Sequence, residues 1–293
     1  MTSGRIVGKL NSVWRFPVKS MRGESLEQVE VTRRGLLGDR AFALIEVDTG
    51  KVVSAKSVRH FPDVLNCRAS FVTTPEAGKD LPLVQIDFQD GTNVRSDSAK
   101  IDHRLSAWFQ RKVTLAKTAP DDFTIDMYHP ELEGETENTF AEQKLGSAYF
   151  AEAGLPSPVP SGAFFDSYPV SVLTTSTLKR LAEIRPESNF DLRRFRMNVI
   201  VDCDASGFAE NDWVGRHIAI GKTVELKIVV PDVRCVMTTL AQDNLSRDAE
   251  ILKTLVRHNS IQASSARQLP CAGVYAVPVA TGTIKAGDSV ALV

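Results

Sequence analysis

Short apolar stretches punctuated by glycine recur along this chain, and they limit its possible folds more than any other feature. Residues 6–16 read as one strand ended by Pro17, and residues 29–31 alternate before a turn at 33–40 that contains Gly35 and Gly38. Residues 41–47 form an apolar strand, and Asp48-Thr49-Gly50-Lys51 then turns as a hairpin into Val52 and Val53. Residues 83–88 alternate with period two and are turned back by Gln89-Asp90-Gly91-Thr92. Further strands are expected at 169–173, 198–202 and 224–230, with short ones joined by glycine turns at 273–278 and 282–290. Many short strands separated by glycine favour a barrel over a parallel sheet.

Helices are few. Residues 99–111 place Ile101, Leu105, Trp108 and Phe109 on one face. Residues 176–184 follow Thr174 and Thr175, either of which can cap a helix, and residues 248–256 align Ile251, Leu252 and Leu255. The chain is thus mainly β with a few helices, an α+β class. Residues 120–160 break the pattern: they are rich in Glu, Gly, Pro and Ser and have little periodicity. They read as a long surface loop with at most one short helix, and such a loop marks a boundary, a lid or an insert. At 293 residues the chain can hold two ordinary domains. The expected division is a β-rich part at 1–119, a loop, linker or insert at 120–160, and a barrel at 161–293.

Charge and motifs exclude several function classes. Lys and Arg number 35 against 36 Asp and Glu, so the basic excess usual in nucleic-acid binders is missing. No stretch reaches the roughly eighteen apolar residues of a membrane span. The first ten residues hold no apolar core of signal-peptide length, so a cytoplasmic location is expected. Cys67, Cys203, Cys235 and Cys271 are widely spaced and form no C-x-x-C pair, which argues against structural zinc, iron–sulfur ligation and a disulfide framework. His60, His103, His129, His217 and His258 have no metal-binding spacing, and no phosphate loop, dinucleotide fingerprint, nucleophile elbow or H-E-x-x-H motif is present.

Cys235 is the residue that most suggests chemistry. It follows Pro231-Asp232-Val233-Arg234 at the end of the apolar run 224–230, and Thr238 and Thr239 come soon after. A neighbouring guanidinium favours the thiolate, the form that attacks electrophiles and binds soft metals. The plain alternative is packing, since free cysteine is commonly buried.

Four segments in order resemble one family: Pro17-Val18-Lys19-Ser20, Gly38-Asp39-Arg40, Arg194-Phe195-Arg196-Met197-Asn198-Val199, and Arg234-Cys235 with Thr238-Thr239. Phe208-Ala209-Glu210-Asn211-Asp212-Trp213-Val214-Gly215, Ile218-Ala219-Ile220-Gly221 and the closing residues 282–290 add to the pattern. Together they resemble the MOSC superfamily, named for the C-terminal domain of molybdenum-cofactor sulfurase. In particular they resemble its two-part members, in which a MOSC β-barrel is packed against an N-terminal β-barrel-like domain and which include reductases of N-hydroxylated compounds.

The resemblance implies a molybdenum cofactor in a basic cleft between the two parts, with Cys235 as the metal ligand and catalytic residue. The pterin supplies two sulfurs, so one protein thiolate completes the set. Lys19, Ser20, Arg40, Thr174, Thr175, Arg196, Asn198 and Arg234 would hold the cofactor, whose phosphate calls for cations and hydroxyl donors. Met197 stands where relatives often have proline, and Val233 where some have serine. The family also carries an association with pyridoxal phosphate.

Taken alone, Lys19 and Arg40 read as surface charges, Arg196 as a partner of Asp191 or Asp202, and Asn198 as a turn residue. Trp213 and Tyr275 read as packing, and Asp166 as ordering its own turn. With no Cys-rich extension before Val293, electrons would come from a separate flavin reductase, heme or iron–sulfur protein. The implied activity is reduction of small N-hydroxylated molecules. The alternatives are a persulfide or cofactor carrier, and a barrel that only binds pterin.

Overall fold

A computed structural model describes residues 4–128, 140–262 and 268–293. Contacts between Cα atoms divide the chain into two units that interleave along the sequence. The first gathers the described residues of Met1–Trp14, Ser25–Leu37 and Tyr168–Val293, and the second those of Arg15–Glu24 and Gly38–Ser167.

The first unit is built on seven barrel strands: β1 (Arg5–Arg15), β2 (Val170–Thr174), β3 (Val199–Asp202), β4 (His217–Ile220), β5 (Val224–Val233), β6 (Gln268–Ala280) and β7 (Ser289–Leu292). They pair in the order β2-β3-β1-β7-β4-β5-β6, and β6 pairs back to β2, so the ring closes. Closure leaves no edge strand in the ring. Every neighbouring pair is antiparallel except β2 and β3, which are parallel. A parallel pair needs a crossover, and helix Thr175–Ile184 supplies it between the two strands.

Val13, Val172, Val199, Ile218, Leu226, Val274 and Val290 fill the barrel together with Trp213, all of them buried. A second apolar layer lies on Leu173, Ile200 and Ala272. Leu181 of the crossover helix and Ile251 and Leu255 of helix Glu250–His258 pack there with Phe190, Phe195 and Met197. Each of these buried Leu, Ile and Phe side chains contributes about 1.5–3 kcal/mol.

Two strands outrun their sequence limits. The run 224–230 continues through Pro231 to Val233, and β6 spans 13 residues across Pro278. Proline cannot donate to a ladder, but the β5–β6 register shifts beside two of the three prolines in these strands, Pro278 and Pro231, between Glu225 and Leu226 and between Pro231 and Val233. The bulges thus admit proline into strands that sequence patterning cuts short.

The second unit contains three small sheets. Ala43–Glu46 pairs with Val113–Ala116; Arg68–Phe71, Val84–Asp87 and Asn93–Arg95 form a meander; Thr124–Tyr128 pairs with Phe140–Lys144. The last pair puts strands into the segment 120–160 that reads as a long surface loop, and Ser147–Glu152 is the one short helix that reading allows. Its anchors are Phe123, Ile125 and Leu145, which join Ala43, Val52 and Phe164 in one buried cluster. These apolar residues are too sparse among polar ones to show a period. The middle of that segment, with His129, lies outside the described residues. Helix Ile101–Phe109 buries Leu105 and Phe109, as its pattern predicts.

Candidate functional site

Barrel strand β5 ends by delivering Arg234 and Cys235 to a 3-10 turn, Val236–Thr239. Cys235 is half-buried, whereas Cys67, Cys203 and Cys271 are buried. Burial pushes the Cys67 and Cys271 thiols up to about 12, so neither supplies a thiolate near neutral pH. Cys235 is therefore the accessible thiol of the chain. Its carbonyl accepts from the Thr238 amide at 3.2 Å and the Thr238 hydroxyl at 3.0 Å, which closes the turn.

Asp232 lies near the end of β5 and Arg234 just past its last residue, Val233, and the two side chains form an ion pair. Arg234 Nη1 donates to Asp232 Oδ2, and its Nη2 donates to the Phe195 carbonyl at 2.6 Å. Burial opposes the guanidinium charge, but Asp232, then Tyr275 and Cys235, more than offset it and hold the group charged. Arg234 Nε is buried with no hydrogen-bond partner among the described residues. A buried cation with an unfilled donor next to an accessible thiol suits an anionic, sulfur-liganded group. Among the described residues no three His, Cys, Asp or Glu side chains cluster to hold a metal. A metal on Cys235 would have to bring its remaining ligands with a cofactor.

The other expected residues of the barrel unit fall into two kinds. Arg196 is buried and sits just before β3 with φ of 54°, a left-handed backbone that costs about 1–2 kcal/mol for a non-glycine residue. Asp191 and Asp202, its anticipated partners, instead accept from Arg193 at 2.7 Å and Thr175 Oγ1 at 2.9 Å. Thr174, Thr175 and Asn198 are engaged by their neighbours. Thr174 Oγ1 caps the crossover helix, accepting from Thr177 N at 3.3 Å, and donates to Glu210. Asn198 is buried; its side chain accepts from Ser171 N at 3.2 Å and donates to the Trp14 carbonyl at 3.1 Å, tying β1, β2 and β3 together. Met197 packs its methyl group against Gly273, which has no Cβ to obstruct it.

In the second unit Lys19 is buried, not a surface charge. Its ammonium donates to the Phe164 carbonyl at 3.0 Å, pairs with Asp166 and lies 5.5 Å from the Phe123 ring centre. Lys56 binds the same carboxylate at 2.9 Å. Burial, then Lys56 and Arg40, push Lys19 below the ordinary lysine value against the pull of Asp166. Burial pushes the Asp166 carboxyl up, but the two ammonium groups outweigh it and hold it well below the usual carboxylate range. Asp166 is thus the counter-ion of a lysine pair, a larger role than ordering its own turn. Ser20 and Arg40 both have positive φ, 67° and 47°. Ser20 Oγ accepts from Ala55 N at 3.1 Å. Arg40 pairs with Asp39 and stacks 4.5 Å over Phe16. Of the five non-glycine residues with positive φ among those described, three are sequence-predicted site residues: Ser20, Arg40 and Arg196. Backbone strain of this kind gathers at functional positions.

Sequence reasoning passed over Lys56 and included Glu210 and Arg194 only within longer motifs, with no role of their own. Glu210 is fully buried and collects the Thr174 and Thr177 hydroxyls and the Gly273 amide. An acidic residue inside a polar Ala-Glu-Asn-Asp run gives no sign of burial. Arg193 and Arg194 are adjacent and look alike in sequence, yet the first pairs with Asp191 and Asp243 while the second is 2% exposed.

The fold and these residues define a class, and comparison with known families agrees. Residues 7–123 match the MOSC N-terminal beta barrel domain, and residues 160–291 match the MOSC domain. The chain belongs to the MOSC-domain superfamily in its two-part form. Among characterised proteins it is similar to the human mitochondrial amidoxime-reducing component 1, 28% identical across 98% of this chain and 83% of that protein. It is also similar to the bovine mitochondrial amidoxime reducing component 2, 25% identical across 97% of this chain and 83% of that protein. A solved structure, the YUAD protein of Bacillus subtilis, superposes with a TM-score of 0.43 at 10% identity over 98% of this chain and 96% of that one, too weakly to argue from. Those relatives carry "mitochondrial" in their names. Among the described residues no helix is long and apolar enough to cross a membrane.

Proposed function

We propose that this protein is a molybdenum-cofactor-dependent reductase of N-hydroxylated compounds, with Cys235 as the metal's protein ligand. The observation that carries the reading is the accessible thiol of Cys235 beside the buried, charged Arg234, in a chain whose other cysteines are buried. The names of the relatives point to the same reaction class. Arg234 and Arg196 in the barrel unit, and Lys19, Ser20 and Arg40 in the second unit, are the residues proposed to hold the cofactor. The hydroxyls of Thr174 and Thr175 and the amide of Asn198 are engaged within the barrel unit, so the part proposed for them is to shape it.

When bound, the cofactor supplies two-electron removal of oxygen: R–NH–OH, two electrons and two protons give R–NH2 and water. The chain's own part is to hold Cys235 at the strand end and keep a cation beside it. Electrons come from a separate donor of the flavin, heme or iron–sulfur class. Pyridoxal phosphate is a poorer match to this site, because Lys19 is buried and committed to Asp166, while the accessible nucleophile is a thiol.

The test is turnover of an aromatic amidoxime with a reduced viologen as artificial donor, wild type against Cys235→Ala. Amidine formation that requires Cys235 supports the reading; cofactor-loaded protein without turnover refutes it. The half-buried thiol also suits a persulfide carrier, and sulfane sulfur on Cys235 in protein without turnover would favour that function.

A further inference from the structure

Among the described residues Arg194 is the largest fully buried side chain, at 2% exposure, and no ion pair to it is found there. Its guanidinium is spent on backbone carbonyls. Nε donates to Asn189 at 2.9 Å, Nη1 to Leu240 at 3.2 Å and Thr238 at 3.5 Å, and Nη2 to Ser246 at 2.7 Å. Three of the four acceptors lie in the segment that follows Cys235. The next residue, Phe195, accepts from Arg234 through its carbonyl at 2.6 Å, on the other side of the cysteine. Residues 194 and 195 therefore hold the chain both before and after Cys235. Thr238 passes the constraint on, since its amide and hydroxyl both bind the Cys235 carbonyl.

We propose that Arg194 is a positioning residue for Cys235, fixing the turn that presents the thiol without touching substrate or cofactor. A fully buried guanidinium is costly, and a core this apolar could fill the same volume with leucine or methionine. Arg194 earns its place by tying three otherwise separate carbonyls of one irregular segment, a task only its planar fork of donors performs. The inference rests on the reading of Cys235 as the reactive group, and its test is independent of molybdenum.

Metal-free wild type, Arg194→Lys and Arg194→Gln are compared by amide hydrogen exchange and by the rate at which iodoacetamide alkylates Cys235. The lysine variant keeps the charge and up to three donors, so it remains folded if glutamine is not tolerated. In Arg194→Lys, exchange across 236–248 accelerates about tenfold or more while the barrel strands keep their protection. Alkylation of Cys235 speeds up at least about threefold as the turn loosens. Exchange and alkylation within about twofold of wild type overturn the proposal, and so does acceleration spread evenly over all strands, which signifies global destabilisation alone. Molybdenum content, measured separately on protein from a cofactor-competent host, decides the cofactor reading. Its absence from wild type would refute that reading and leave the exchange result standing.

Discussion

Replacing Glu210 by alanine strands three buried donors at once. The carboxylate accepts from the Thr174 and Thr177 hydroxyls and, at 3.1 Å, from the Gly273 amide, inside a site with no solvent exposure. Each donor left unsatisfied costs about 1–3 kcal/mol. Thr174 can fall back on Ser176 Oγ at 2.8 Å, which places the total near 3–5 kcal/mol. At about 2–4 °C per kcal/mol the barrel's melting transition should fall by roughly 10 °C. Glu210→Gln preserves shape, and the threonine hydroxyls can turn to meet an amide, so its cost is about 1 kcal/mol.

The pH dependence separates the two forms further. Burial raises the Glu210 carboxyl above its ordinary value, against the hydrogen bonds it accepts. A raised acid binds more protons folded than unfolded, so the stability it contributes is complete below the unfolded value, about 4.3, and is lost as pH rises through the folded one. The wild type minus Glu210→Gln difference should therefore grow on acidification toward pH 4. Melts of the three proteins from pH 4 to 8 test this. An alanine variant melting within about 2 °C of wild type, or a difference flat in pH, refutes the reasoning.

Three other outcomes are expected. Native protein treated with iodoacetamide at pH 7.5 should be alkylated at Cys235 alone, since burial holds Cys67 and Cys271 protonated; mass mapping that finds either modified before unfolding contradicts this. Asp166→Asn should leave Lys19 and Lys56 without their shared carboxylate and destabilise the second unit by about 1–3 kcal/mol in urea melts, the estimate allowing for partial exposure of Asp166. Because that carboxyl is depressed, its contribution is present above the unfolded value and lost as pH falls through the folded one, so the variant's deficit should shrink below pH 4. Gly273→Ala places a Cβ 2.7 Å from the Val172 carbonyl at φ of 81° and should cost about 2–3 kcal/mol; trimming Met197 to alanine removes only the side-chain clash and should not restore stability.

How much of this was legible in the sequence depended on locality. The helix over Thr175–Ile184 and its Thr174 cap could be read because cap and periodicity lie within a few residues. Cys235 stood out because Arg234 is its neighbour and a strand leads into it. Arg194 could not be singled out, because its role depends on carbonyls some fifty residues away in an irregular turn. The left-handed backbones of Ser20, Arg40 and Arg196 carry no compositional mark, since strain is imposed by surroundings and not by residue type. The strand pair over Thr124–Lys144 was hidden for a related reason: its few apolar anchors find their partners in Ala43, Val52 and Phe164, remote in sequence. Sequence patterning found groups whose partners are near in the chain and missed those whose partners are near only in space.

The central claim is that Cys235 anchors molybdenum. The most direct measurement is metal and pterin analysis of wild type and Cys235→Ser purified from a host that makes the cofactor. Close to one molybdenum and one pterin per chain in wild type, with molybdenum lost from the serine variant while its circular-dichroism spectrum shows it still folded, is the predicted result. Wild-type protein free of both, or equal molybdenum in the two proteins, would contradict it.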